Sequence, residues 1–312
     1  MGRDTSGGIR TFQGSVSIIT GGASGIGRAL GAELASRGAG EIVIADLQTS
    51  LAEEAAEAIR NAGSRATVVT LDVRDGGAVE RMVAGVQAAA GRIDYVFNNA
   101  GTGVMGETHL LEKRDWDQTI DINVGGVVNV VRAVYPRFIA QGYGHLVNTA
   151  SMAGLLGSPF LSVYVGTKHF VVGLSKSMRI EAARHGVRVT ALCPGAVRTP
   201  LLTGGSIGRS VYEMTDARKL AWWERFRPGD VGVFAKETLD AVAKNEAIIV
   251  LPKHNRIGVA LFRLVPGLEE KVAKRIYAKT LADYPEMTKA QAPVAAEPSP
   301  DRSAGTSAAA SS

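Results

Sequence analysis

Seven short apolar runs recur between residues 15 and 251, most of them separated by longer stretches with helical patterning. The runs are SVSIIT (15–20), EIVIA (41–45), ATVVTL (66–71), IDYVFN (93–98), GHLVNT (144–149), VRVTAL (187–192) and AIIVL (247–251). Segments 51–61, 78–90, 116–141 and 161–185 are long enough to be helices. A nearly unbroken apolar run fits a strand buried on both faces, and strands alternating with helices make βαβ units. Right-handed crossovers wind such units to both sides of one sheet. The expected fold class is therefore α/β, a doubly wound seven-stranded parallel sheet with helices on both faces, in one domain over 14–251.

The ends depart from this pattern. Residues 1–13 read as a flexible polar arm, and 288–312, rich in Ala, Pro and Ser, as a disordered tail. Between them and the domain, 252–287 reads as a basic amphipathic extension in which Ile257, Leu261, Leu264 and Leu268 punctuate Lys and Arg, broken at Pro266-Gly267. The net charge of +5 is concentrated there, which leaves the main body nearly neutral and argues against a nucleic-acid partner. The single cysteine, Cys193, excludes an intrachain disulfide framework and reads as a buried thiol. No leader-like segment is found, and no apolar run approaches the ~20 residues of a membrane span. These features suit a cytoplasmic protein.

The first run leads directly into TGGASGIG, Thr20 to Gly27, and then into RALGAELA, which opens a helix. A glycine-rich strand-to-helix turn either brings the backbone and the helix N-terminus to a pyrophosphate or is simply tight. Asp46 closes the second run 25 residues after Gly21. An acid there either takes a ribose 2′-hydroxyl and repels a 2′-phosphate, or caps the helix beginning near Gln48. The first reading is adopted, and it favours NAD over NADP.

Further along, YVGTK places Tyr164 and Lys168 one helical turn apart on one face, about 6 Å from each other. Taken with the other motifs, the chain resembles the short-chain dehydrogenase/reductase family, in its single-domain, Rossmann-like branch. TGxxxGIG is Thr20 to Gly27, Asp72-Val73 follows the third run, and NNAG spans Asn98 to Gly101. Asn123 lies in DINV, Ser151 closes NTAS, YxxxK comes 13 residues later, and Pro194-Gly195 with Thr199 follows the sixth run. Gly166 departs from the Ala or Ser more usual inside YxxxK.

The resemblance implies an enzyme that interconverts CH–OH and C=O groups with NAD. The cofactor residues it implies are Gly21, Ser24, Gly25, Ile26, Gly27 and Asp46, then Asp72 and Val73 at the adenine, and Asn99, Ala100 and Gly101. Pro194, Gly195, Val197 and Thr199 complete the set with Tyr164 and Lys168. It also implies a catalytic set of Asn123, Ser151, Tyr164 and Lys168, with Asn123 holding a water that relays protons from Lys168. Homodimers or homotetramers through segments 116–141 and 161–185 are a further implication.

The chemistry of the pair is independent of the resemblance. Oxidising an alcohol needs a base nearer neutrality than a free phenol, and an adjacent ammonium favours the phenolate. Ser151 can donate to the reacting oxygen. The histidines (His109, His145, His169, His185, His254) show no metal-ligand spacing, so no metal is expected.

For the substrate, segment 200–227 reads as a lid rich in apolar residues, among them Leu201, Leu202, Ile207, Val211, Tyr212, Met214, Leu220, Trp222, Trp223 and Phe226. With Leu155, Leu156 and Phe160 they suggest a bulky hydrophobic alcohol or ketone (steroid-like, aryl or fatty-acyl), bound near Ser151, Leu155, Phe160, Tyr164 and Leu201. Packing of the same residues on the body or on a second subunit is the alternative. The 252–287 extension either folds back on the domain or makes a peripheral membrane contact. The competing reading of the whole chain is a regulatory protein that binds NAD on the same fold without chemistry.

Overall fold

A computed structural model describes residues 11–204 and 208–288. The expected arm therefore has only residues 11–13 within it, while Ile207 and the tail beyond Thr288 lie outside the described residues. In chain order the strands are β1 (Val16–Thr20), β2 (Glu41–Asp46), β3 (Arg65–Thr70), β4 (Tyr95–Asn98), β5 (Gly103–Met105), β6 (Gly144–Thr149), β7 (Val187–Pro194), β8 (Gly208–Ser210) and β9 (Ile248–Leu251). The helices are α1 (Gly25–Ser36), α2 (Thr49–Asn61), α3 (Gly76–Ala90), α4 (Lys113–Ile120), α5 (Val127–Gln141), α6 (Ser162–Ala183), α7 (Asp216–Glu224), α8 (Val231–Ala243), α9 (Asn255–Leu264) and α10 (Pro266–Asp283).

Seven strands form one parallel sheet in the order β3-β2-β1-β4-β6-β7-β9. The inner strands β1, β4, β6 and β7 are buried along their whole length, whereas the edge strand β3 alternates with solvent. Strand alternation divides the core into two layers. Ile19, Ile42, Ile44 and Phe97 pack against α1, α2 and α8 through Leu30, Leu34, Ile59 and Phe234. Their neighbours Ile18, Val43 and Val96 face the opposite way, onto Val83, Val130, Phe138 and Met178 of α3, α5 and α6.

Two features differ from the sequence expectation. β5 and β8 pair as a separate parallel two-stranded sheet beside the main one. The helix expected over 116–141 is instead α4, a widened π-type turn at Asp121–Gly126, and α5. Val73 explains part of this, because a Cβ on Gly126 would stand 2.6 Å from Val73 Cγ2, so the turn must present glycine there.

Candidate active site

The strand order reverses between β1 and β4, and a cavity of about 780 Å³ opens at the carboxyl ends of these strands. A topological switch point of this kind is where doubly wound sheets bind ligands. The β1–α1 turn forms one wall. Gly21 has φ +64°, which suits glycine, and a Cβ on Gly27 would stand 2.0 Å from the Gly21 carbonyl oxygen. Gly27 therefore shapes the turn from behind, while Gly21, Ser24, Gly25 and Ile26 line the cavity. Thr20 ties the turn to the β4 loop: its Oγ1 accepts from Asn99 N (2.9 Å) and Ala100 N (3.1 Å).

Asp46 lines the same cavity at the tip of β2. Its Oδ2 accepts from Ala23 N and its Oδ1 from Gln48 N, both at 3.0 Å. The carboxylate thus joins the glycine turn to the segment leading into α2. Asp72 and Val73 line the next stretch of wall with Arg74, a residue not singled out from the sequence. Arg74 grips Asp72 through Nε at 2.9 and 3.0 Å and Nη2 at 2.6 Å, which lowers the Asp72 pKa from its ordinary value. Asn99, Ala100, Gly101, Pro194, Gly195, Val197 and Thr199 also line the cavity.

At the centre, α6 brings Tyr164 and Lys168 beside Ser151, which follows β6. Below them a buried polar chain fastens the supporting elements. Asn98 Nδ2 donates to Asn148 Oδ1 (3.0 Å) and to Val127 O (3.2 Å), and Asn148 Nδ2 donates to Ser175 Oγ (3.0 Å). β4, β6, α5 and α6 are thereby held in one register. Ser151 Oγ accepts from Ala153 N at 3.1 Å and donates to Pro194 O at 3.4 Å, and Tyr164 lines the cavity beside it. Lys168, 3% exposed, donates from Nζ to Thr149 O at 2.9 Å, and its Nζ lies 5.5 Å from the Tyr164 ring centre.

Burial dominates the electrostatics of this pair. It raises the Tyr164 pKa, with the Ser151 hydroxyl acting in the opposite direction, and it pulls Lys168 down from 10.5 to about 8.

Two residues expected at the site have side chains behind the cavity wall. Asn123 is fully buried and does not line the cavity. Its Oδ1 accepts from Thr102 N (2.9 Å), and its Nδ2 donates to Thr102 O (2.9 Å) and Thr167 Oγ1 (3.1 Å). Its side chain thus fastens the widened turn to the strand that leads into β5. Leu155 packs into the core with Val127, Val171 and Val172, and it is Leu156 that faces the cavity with Phe160 and Leu201.

The outer wall comes from the 252–287 extension, which folds back on the domain. Phe262 of α9 and Glu269, Val272, Ala273 and Ile276 of α10 line the cavity opposite Trp222, Trp223 and Phe226. Helix α10 is clasped to the substrate end by several contacts. Tyr277 stacks on Phe160 with ring centres 5.2 Å apart and donates to Glu107, and Glu269 Oε1 accepts from Gly157 N at 2.6 Å. Trp222 Nε1 donates to Thr280 Oγ1 (3.4 Å), and Arg218 lies 4.4 Å over the Tyr284 ring. Tyr212 and Trp222 are buried in one cluster with Tyr284 and Met287, so part of the apolar lid is spent on packing against the extension.

A glycine turn, an acid at the tip of β2, and a Ser-Tyr-Lys cluster thus share one cavity. The short chain dehydrogenase family model matches residues 15–206, which contain every one of these groups. The chain belongs to the short-chain dehydrogenase family. SadH of Mycobacterium tuberculosis is 32% identical over 273 residues, covering 87% of this chain and 98% of its own length. Levodione reductase of Leifsonia aquatica is 37% identical over 201 residues, 64% of this chain and 75% of that protein. Among solved structures, a short-chain dehydrogenase/reductase from Burkholderia phymatum in complex with NAD superposes with a TM-score of 0.72 at 28% identity, covering 82% of this chain and 95% of the other.

Proposed function

We propose that the protein is an NAD-dependent oxidoreductase that interconverts a secondary alcohol and a ketone, with Tyr164 as the acid/base. The observation that carries the reading is the placement of Ser151, Tyr164 and Lys168 together in a cavity running from Asp46 to an apolar far end. The residues fit a dinucleotide. Gly21, Ser24, Gly25 and Ile26 present the turn and the start of α1 along the cavity, where they can meet a pyrophosphate, and Asp46 offers a carboxylate to a ribose. NAD supplies the hydride acceptor, and NADH the donor, at the reacting carbon.

In the reductive direction Tyr164 Oη donates its proton to the carbonyl oxygen, and the raised phenol pKa keeps that proton in place at neutral pH. In the oxidative direction the phenolate oxygen accepts the hydroxyl proton. Ser151 Oγ donates a hydrogen bond to the same substrate oxygen in both directions, stabilising the charge that develops there. Lys168 positions the β6 end through Thr149 O and lies within reach of a ribose hydroxyl.

Leu156, Phe160, Leu201, Trp223, Phe262 and Ile276 line the substrate end, which fits a bulky apolar alcohol or ketone. Exposed Ile120 of α4 and Phe170 and Ile180 of α6 support assembly into a homodimer or homotetramer. Residues of the 252–287 segment serve as a wall of the pocket.

The test follows absorbance at 340 nm with NAD or NADP and a panel of secondary alcohols and ketones, for wild type beside Tyr164→Phe. Turnover of bulky apolar substrates with NAD, lowered by about 10²–10⁴-fold in the variant, is expected. NAD binding without turnover across the panel would move the reading to a regulatory protein. A preference for small polar hydroxy acids would overturn the substrate class.

A further inference from the structure

Helix α9 lies between the cavity and solvent. Val259 is buried and Phe262 lines the cavity, but Ile257 and Leu264 are 79% and 81% exposed and Leu261 is 45% exposed. Positions 257, 261 and 264 follow helical spacing, so these three side chains form one apolar stripe turned outward. Val265 extends it at the junction with α10, at 48% exposed.

The charges beside the stripe are unbalanced. Arg263, Lys271, Arg275 and Lys279 form no ion pair with an acid among the described residues. The four acids of the extension are all engaged: Glu269 with Gly157 N, Glu270 with Lys274, Asp283 with Arg225 and Glu286 with Arg218. Lys271, Arg275 and Lys279 fall at i, i+4 and i+8 on α10. The inward side of that helix keeps the same spacing one residue on, with Val272 and Ile276 on the cavity and Thr280 buried against Trp222. The outer face of α10 is thus a cationic stripe following directly on an apolar one.

We propose that α9 and α10 dock on an anionic lipid surface, with Ile257, Leu261 and Leu264 entering the interface and Lys271, Arg275 and Lys279 meeting lipid phosphates. No helix among the described residues is long and apolar enough to cross a membrane, so the contact is peripheral. A second copy is a poorer occupant. A two-fold contact through this face would set the same cations against each other with no free acid to pair them. The docking rests on the surface alone and holds whichever alcohol is turned over.

The test is flotation of the full chain with phosphatidylglycerol/phosphatidylcholine vesicles and with pure phosphatidylcholine vesicles at low salt. Wild type is compared with Ile257→Glu/Leu264→Glu and Lys271→Glu/Arg275→Glu, and circular dichroism and NADH binding check that both variants fold. Each lipid-proximal cation favours binding roughly five-fold. Wild type should therefore float with the anionic vesicles only, releasing at high salt, and the charge variant should lose at least ~30-fold in partitioning. The apolar variant should lose a comparable amount.

Equal recovery of wild type in the soluble fraction with both vesicle types would overturn the proposal. So would flotation that neither variant weakens. A third overturning result is a fall in oligomer size by light scattering in the apolar variant without any vesicle binding by wild type, which would assign the stripe to a second copy.

Discussion

Replacing Lys168 with methionine should leave the fold at least as stable at neutral pH, although it removes a hydrogen bond to Thr149 O. Burial lowers the lysine pKa from 10.5 to about 8. At about 1.4 kcal/mol per pKa unit, the buried amine costs the folded state about 3 kcal/mol at pH 7. The lost hydrogen bond returns about 1–3 kcal/mol of that, leaving a net gain of about 0–2 kcal/mol for Lys168→Met. The pH dependence is the sharper readout. With the folded-state pKa below the unfolded one, the unfolded chain binds more protons between pH 8 and 10.5. Wild-type stability therefore rises with pH through that window. Near pH 9.5 the penalty has fallen to about 1 kcal/mol, so the advantage of the variant should shrink by about 2 kcal/mol between pH 7 and 9.5. Guanidinium unfolding of both proteins without added cofactor measures this, and subtracting one from the other at each pH removes the titrations they share. A difference that stays flat or grows with pH would refute burial as the cause of the depressed pKa.

Gly27→Ala should cost about 1–3 kcal/mol and weaken NADH binding in a fluorescence titration, because the added Cβ would stand 2.0 Å from a backbone oxygen that no side-chain rotation can move. Asn123→Ala should lower stability by about 2–4 kcal/mol, seen in the denaturation midpoint, since it leaves Thr102 N and O without the side chain that satisfies both. Asp46→Ala should narrow the preference for NAD over NADP, measured as the ratio of their kcat/KM values, by removing the carboxylate that repels a 2′-phosphate. Gly166→Ala should raise stability by about 0.5–1 kcal/mol, detectable as a higher Tm, because the position is inside α6 and a Cβ there meets nothing within 4 Å.

What was legible in the sequence followed from period and strand tips. The seven apolar runs became the seven strands of the main sheet because burial on both faces leaves no solvent-exposed position in the inner ones, so most of their residues are apolar. Gly21, Asp46, Ser151 and Tyr164 reach one cavity because each stands at or just beyond the carboxyl end of a strand or on the helix above it. The failures were of other kinds. β5 and β8 have three residues each, too few to show alternation. Leu155 and Leu156 are neighbours of identical chemistry after a short turn, and only the turn's geometry decides which faces the core. Asn123 could be placed on a helix, but its partner is the backbone of Thr102, 21 residues earlier, and nothing local marks such a pairing.

The extension shows the same division between local pattern and tertiary outcome. Its basic, amphipathic character was readable, but the inward positions Val272, Ile276 and Thr280 look unremarkable beside the lysines that alternate with them. Only when Tyr277 meets Phe160 and Glu269 meets Gly157 does that face become a wall of the cavity. The extension therefore shapes the apolar end of the cavity through Phe262, Val272, Ala273 and Ile276. Deeper in the same cavity, burial is the dominant influence on the pKa values of both Tyr164 and Lys168.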